Sequence, residues 1–463
     1  MFRFALDRFP SANKNEYKGY LDAFNQIAQC VGSIVVAPLI RKFPTKTVLS
    51  FAMGLFAIIC AIPLILEAST GGKFSGPGLD AKGNPKANPG SWNPLIVIPI
   101  FTVTGLAHGC IELIRRVIPR DIVGGNVTAL KKMDSLVHIF YEVAGTSGAF
   151  FSTFMAISLG KAFGTITAPF AFIVATIIWF RIKVDKDNDT FVNAAEEGVE
   201  GDSVWESVSL FFVSIYEGGK IIFSNRKFTW LIFGYSIPLF LHRFLENHIG
   251  DNFAKYVLKE GGLNGVITGG SNFGELLGAL LVFSFTTWIH TPLPWLRLDA
   301  ALLAIVWLFY KASPTVFGVD YIATAWIVAA CLVPMSLGWA AGDVSLAAFI
   351  QSHVSRIENK KVSPLGAVMA FLYVLYIILY AVLSVVAGKY IDSLPKNAKK
   401  EPIDISPYFF WFGGVMFTLC GVLIFASTFV PKGSFSLNPS ILPEHIEEEE
   451  KKKVENSATL EAF

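Results

Sequence analysis

Charge is scarce in this sequence. Only 16% of its 463 residues are Asp, Glu, Lys or Arg while 53% are hydrophobic, and the mean hydropathy is +0.53. So few charges cannot cover that much apolar surface in water, which excludes a soluble globular domain and points to a multi-span membrane protein. Cysteine is scarce as well. Cys30, Cys60, Cys110, Cys331 and Cys420 are scattered without paired spacing, so neither a disulfide framework nor a zinc site follows from them. No G-x-x-x-x-G-K-S/T loop is present, which argues against transport driven by ATP on this chain. No hydrolase triad or metal motif can be assembled, so an enzyme, a cofactor and a bound metal are not expected. The formal charge of +2 sits in short loops and gives no reason to expect a nucleic-acid partner. Residues 1 to 19 are polar and lack the apolar core of a signal peptide.

What the sequence does hold is apolar runs. A helix crosses a hydrocarbon core of about 30 Å with about 20 mainly apolar residues. Eleven stretches qualify: 18 to 40, 46 to 66, 94 to 115, 135 to 159, 162 to 182, 228 to 250, 263 to 287, 294 to 311, 320 to 345, 364 to 388 and 407 to 430. The expected fold class is therefore an all-α membrane protein of about eleven transmembrane helices. Its partners are then the lipid bilayer and a small-molecule substrate, and plasma and vacuolar membranes are equally compatible with the sequence. The turns at 41 to 46, 115 to 132 and 181 to 227 are rich in Lys and Arg, which places them in the cytosol. The sequons at Asn126 and Asn188 fall in those cytosolic loops and should stay unglycosylated. Residues 67 to 93, rich in Gly, Pro and Asn, read as a flexible loop on the opposite side.

The tight basic turn Arg41-Lys42-Phe43-Pro44-Thr45-Lys46 between two apolar runs resembles the turn between the second and third helices of the major facilitator superfamily, approximately G-x-x-x-D-R-x-G-R-R. Ala37, Arg41, Lys42, Pro44 and Lys46 take its conserved positions; the basic character matches, and the acid and both glycines do not. IRRVIPRDIVGG, HIFYEVAGTSGAF and GWAAGDVSLAAFIQS are similar to stretches of fungal members of unassigned substrate. The resemblance covers nearly the whole chain. It implies two pseudo-repeated halves, with the family's first helix missing. Residues 1–182 would be the N-terminal half, 183–227 a cytosolic linker with an amphipathic helix, 228–430 the C-terminal half and 431–463 a cytosolic tail. The implied function is secondary active transport of a small solute by alternating access, coupled to an ion or a proton. The alternative is a transporter-like protein with a receptor, chaperone or assembly role and no transport, which the missing helix and the altered turn favour. The family's G-x-x-x-G-P-x-G-G antiporter signature is absent, so the direction of transport stays open.

Depth separates the charged residues, at about 1.5 Å of rise per residue. Glu275 stands about 18 Å into its span, close to the midplane, where a carboxylate either carries a proton or pairs with a cation. Asn272 shares its face, and Gly274, Gly278 and Ala279 allow a neighbouring helix to approach. Arg243 lies about 22 Å into its span with Glu246 one turn on, either a plain intrahelical pair or a gating pair. Asp22, Asn25, Gln26 and Gln29 occupy one face of the first span. That face either lines a cavity or bonds a neighbouring helix. The expected substrate or proton site is thus Glu275, Arg243, Glu246, Asn272, Gln26 and Gln29. Nearer the cytosol, Glu112 with Arg116, His138 with Glu142, and Asp343 are expected to form an inner gate.

Overall fold

In the computed structural model, residues 9–10, 13–74, 88–123, 127–160, 162–182, 204–259, 261–285, 288–289, 291–354, 364–395 and 403–439 are described. Among them the chain is nearly all helix, with one isolated bridge between Lys73 and Asn88. Five helices come first: α1 Lys14–Lys42, α2 Thr45–Ser69, α3 Val97–Val123, α4 Val127–Leu159 and α5 Thr167–Arg181. A linker helix follows, α6 Val204–Ser224. The second group comprises α7 Arg226–Val257, α8 Asn264–Phe285, α9 Leu293–Lys311, α10 Tyr321–Val354, α11 Pro364–Ser393 and α12 Ser406–Ser427.

Nine of the helical segments among the described residues are long and apolar enough to cross a membrane. The other two expected spans are α1, of 29 residues, and α4, of 33. Both are continuous helices that carry more polar residues, of which Asn25, Gln29 and Glu142 are buried. Lipid-facing stripes are equally plain: Phe51, Ile58 and Ile65 of α2 recur every seven residues and are all exposed, as are Phe170, Ile173 and Ile177 of α5. The sequons at Asn126 and Asn188, the acidic part of the linker, the middle of the loop after α2 and the tail beyond residue 439 lie outside the described residues.

Helix contacts follow one pattern in both groups. α1 packs on α3 as α8 packs on α10, and the groups meet along two antiparallel pairs, α1 with α11 and α4 with α8. Gly274 and Gly278 explain the α8–α10 seam. A Cβ on either would run into the backbone carbonyl of Val333 or Leu337, so only glycine permits this approach. The second group buries a continuous aromatic core, in which the Phe253 ring stands edge-on to Phe309 at 5.2 Å. The first group has two smaller clusters, one around Leu21, Ile59 and Val97, the other around Val36, Leu49 and Ile114.

The end of the bundle that holds the start of α1 and the ends of α7 and α11 is the one the loop charges assign to the outside, and is called the outer end below. The loop after α2 is tied at this end. The buried Glu67 carboxylate accepts from Gly90 N at 2.8 Å and from the Trp92 indole at 2.5 Å. At the opposite end, Arg297 of α9 donates to Thr428 Oγ1 at 3.1 Å and to the Ser434 and Ser436 carbonyls, and lies over the Phe429 ring. These contacts fasten the segment after α12 to the bundle. The linker helix α6 packs along α1 and α11. Gly218 sits against the Ala367 carbonyl while Phe212, Tyr216 and Phe223 stay exposed, in keeping with an amphipathic helix.

Candidate functional site

The α4–α8 pair brings together acids from the two groups of helices. Glu275 is the twelfth of the 22 residues of α8 and is buried; Glu142, near the middle of α4, is only 2% exposed. His138 stands one turn before Glu142, so both project from one face of α4. Its Nε2 lies 3.6 Å from Glu142 Oε1 and 4.0 Å from Glu275 Oε2. One donor atom from each of the three side chains falls within 4.8 Å of the others. Two ionised carboxylates so close repel by roughly 3 kcal/mol at an effective dielectric constant of about 20. A positive charge or a proton between their oxygens would relieve this repulsion.

α7 supplies the next layer. Arg243 Nη1 reaches Glu246 Oε2 at 3.4 Å, so these two pair within their own helix. The other oxygen, Oε1, accepts from Ser271 Oγ of α8 at 3.0 Å, and Ser271 is 2.9 Å from Ser336 Oγ of α10. One chain of polar contacts thus links α7, α8 and α10. The backbone of α7 is itself irregular. π-helical turns at Ile232–Ser236, Leu245–Gly250 and Phe253–Val257 surround the α-helical segment Ile237–Phe244, near whose start Pro238 stands. π turns of this kind re-aim side chains and are frequent at functional sites.

Asn272 stands one turn before Glu275, and its carboxamide lies beside Gly145 of α4. A Cβ at Gly145 would come within 2.8 Å of Asn272 Nδ2 and 3.6 Å of Glu142 Oε2. Glycine there leaves room for the Asn272 carboxamide. Gln26 accepts from Tyr376 Oη of α11 at 3.3 Å, and the Tyr376 ring lies between those of Tyr373 and Tyr380, tilted against each with centroids 5.4 and 6.1 Å away. Gln29 is placed differently. It donates to Asn25 Oδ1 at 2.8 Å, and Asn25 donates to the Phe101 carbonyl at 2.7 Å, so this part of the α1 face bonds to α3.

Of the residues expected at an inner gate, His138 and Glu142 each place a donor atom within 4.8 Å of Glu275. Glu112 pairs with Arg115 at 2.6 Å, and Arg115 lies over the Tyr141 ring at 4.5 Å, one residue before Glu142. The Arg116 side chain lies outside the described residues. Asp343 is half-buried in α10 and has no hydrogen bond or ion pair with the cluster among the described residues.

A second network closes the outer end, and most of it is not apparent in the sequence. Asp392 at the end of α11 accepts from the backbone N–H of Asn15 at 3.0 Å and of Glu16 at 2.8 Å, and from Asn15 Nδ2 at 2.8 Å. It caps α1 from the opposite group of helices. Lys18 pairs with Asp251 of α7 at 2.5 Å and donates to the Asn247 carbonyl. His248 Nε2 stands 3.4 Å from Asp22. A buried pair inside the second group, His242 Nε2 with Asp299 Oδ1 at 3.1 Å, is likewise unsignalled; its imidazole stacks on Trp339.

Apolar helices long enough to cross a bilayer, packed in two groups that meet along two antiparallel pairs around a buried acidic cluster, describe a multi-pass membrane protein. A profile of the Major Facilitator Superfamily matches residues 14–363, and the chain belongs to that family. Among solved structures it is similar to the nucleoside transporter NupG in its D323A mutant, with a TM-score of 0.53 and 14% identity, covering 94% of this chain and 97% of that one. The inward-open xylose transporter XylE from E. coli gives a TM-score of 0.53 at 11% identity, over 94% and 90% of the two chains. A bacterial homologue of the human drug peptide transporters PepT1 and PepT2 gives 0.51 at 14%, over 91% of each. At these identities the likeness establishes the fold. No curated protein matches the chain in sequence.

Proposed function

We propose that this protein is a secondary active transporter that moves a small solute by alternating access, coupled to an ion or proton at Glu275. The observation that carries this reading is the position of Glu275: mid-helix, buried, and shared between α8 and the facing acid of α4. A buried carboxylate whose partner sits on the other group of helices changes its surroundings whenever the two groups rock apart. Its charge must then be carried by something that can leave. This is what couples an ion to the movement of a central site. Arg243, Glu246 and Asn272 complete the polar surface offered to the solute, with Gln26 reached through Tyr376, and Glu112 with Arg115 closes the inner side.

Family membership supports the class of activity. Structures of the same fold include a proton:xylose symporter and members described as proton-dependent oligopeptide transporters, which supports a polar organic solute with ion coupling. The test is uptake by proteoliposomes of sugars, nucleosides and short peptides under an imposed ion or proton gradient. Wild-type protein should accumulate one class, and Glu275→Gln should abolish gradient-driven accumulation while keeping expression and a monodisperse elution profile. Accumulation undiminished in Glu275→Gln would remove Glu275 from the mechanism.

A further inference from the structure

His138, Glu142 and Glu275 have the composition and spacing of a metal-ion site. First-row ions bind imidazole nitrogen and carboxylate oxygen at about 2.0–2.2 Å, so adjacent donor atoms around one ion stand about 3–4 Å apart. The distances from His138 Nε2, 3.6 Å to Glu142 and 4.0 Å to Glu275, already fall in that range. Two of the donors are a turn apart on one rigid helix and the third comes from the helix packed against it, so small side-chain rotations bring all three onto one centre.

Charge supports the same conclusion independently. Glu142 and Glu275 are buried, and His138 is the only basic side chain within ion-pair distance of either among the described residues. The nearest guanidinium, Arg243, is matched by Glu246 in its own helix. Two carboxylates in the membrane interior therefore carry an excess of negative charge that one divalent cation balances in full. The imidazole decides the class of ion. Magnesium and calcium prefer all-oxygen sites, whereas one imidazole with carboxylates suits Mn²⁺, Fe²⁺, Co²⁺ or Zn²⁺. Asn272, whose carboxamide shares the Gly145 corner with Glu142, offers a neutral oxygen nearby.

We propose that His138, Glu142 and Glu275 form a binding site for a divalent first-row transition-metal ion, held between the two groups of helices. Binding stands by itself; that the ion is carried, or drives the solute, rests on the transporter reading. Because its ligands come from α4 and α8, the ion would hold these helices together in the present arrangement.

The test uses the purified full chain in detergent, titrated with CoCl₂ and followed by visible absorption, with ZnCl₂ as competitor. Wild-type protein should bind one ion per chain, and His138→Ala, Glu142→Gln and Glu275→Gln should each weaken binding by about 100-fold or more, as expected for direct ligands. Absence of binding by wild type, or equal binding by the variants, overturns the proposal. Should a variant not yield folded protein, X-ray absorption on cobalt-loaded wild type decides: one imidazole with oxygen neighbours supports the site, and sulfur or several imidazoles overturn it. Cobalt binding without solute or ion flux in proteoliposomes leaves the site standing and removes the transporter reading. Flux without binding does the reverse.

Discussion

Asp392→Ala should open the outer end. Its carboxylate caps the first turn of α1 through two backbone N–H groups and the Asn15 side chain. Loss of a capping side chain costs about 1 kcal/mol, up to about 2. Loss of a negative charge at a helix N-terminus costs a further 0.3–1 kcal/mol or about that. Asp392 is half-buried, so the upper values do not apply. The sum is about 1.5 kcal/mol, felt only where α1 and α11 meet, because in an open arrangement water satisfies the same groups. A shift of that size changes a two-state ratio by roughly 10-fold, at about 1.4 kcal/mol per tenfold. Spin labels at Asn13 and Ser393, both exposed and flanking the contact, report it through pulsed electron-electron distances. The expected result is a new, longer population in Asp392→Ala with little loss of thermal stability. An unchanged distance distribution together with a lower Tm would show that the cap only stabilises one fixed arrangement, and would refute the argument.

Three other consequences can be checked on purified protein. Lys18 and Asp251 are both nearly buried, so Lys18→Met or Asp251→Asn alone strands a charge at a cost of about 3–5 kcal/mol, whereas the double variant should melt well above either single one; additive losses would count against the pair. His242→Leu leaves the buried Asp299 carboxylate without its imidazole partner and should destabilise by a similar order of about 3 kcal/mol, and Asp299→Leu in the same protein should recover part of it, read from the thermal midpoint. Arg297→Met removes the donors that hold residues 428–437, so limited proteolysis should cut this segment faster while the bundle elutes unchanged; unaltered cleavage would mean that the Phe429 and Thr428 contacts are dispensable.

The span positions and the place of Glu275 half-way along its helix were legible in the sequence because both depend on local quantities, apolar run length and rise per residue. The Arg243–Glu246 pair was legible for the same reason, since one helical turn separates its members. Relations between helices were not. His138 and Glu142 read as part of a gate near the cytosol, yet the antiparallel register of α4 and α8 sets them opposite Glu275, more than a hundred residues away in sequence. Gln29 shares a helical face with Gln26, but α1 is wedged between α3 and α11. Two neighbours on that face therefore bond to different helices, Gln29 toward α3 and Gln26 to α11. Asp251, Asp299 and Asp392 sit near helix ends or among apolar residues with no periodic signal, and only their partners give them meaning. The proposed metal site leaves no motif in the sequence for the same reason, because its third donor would come from a distant helix.

The most direct test of alternating access is to follow both ends of one molecule. Label pairs at Asn13 and Ser393 report the outer end, and pairs at Lys132 and Phe285, on the exposed inner ends of α4 and α8, report the other. The account predicts two distance populations at each end whose proportions change in opposite directions when Asp392→Ala is introduced or when a transported solute is added. A single population at both ends, insensitive to either, would contradict it.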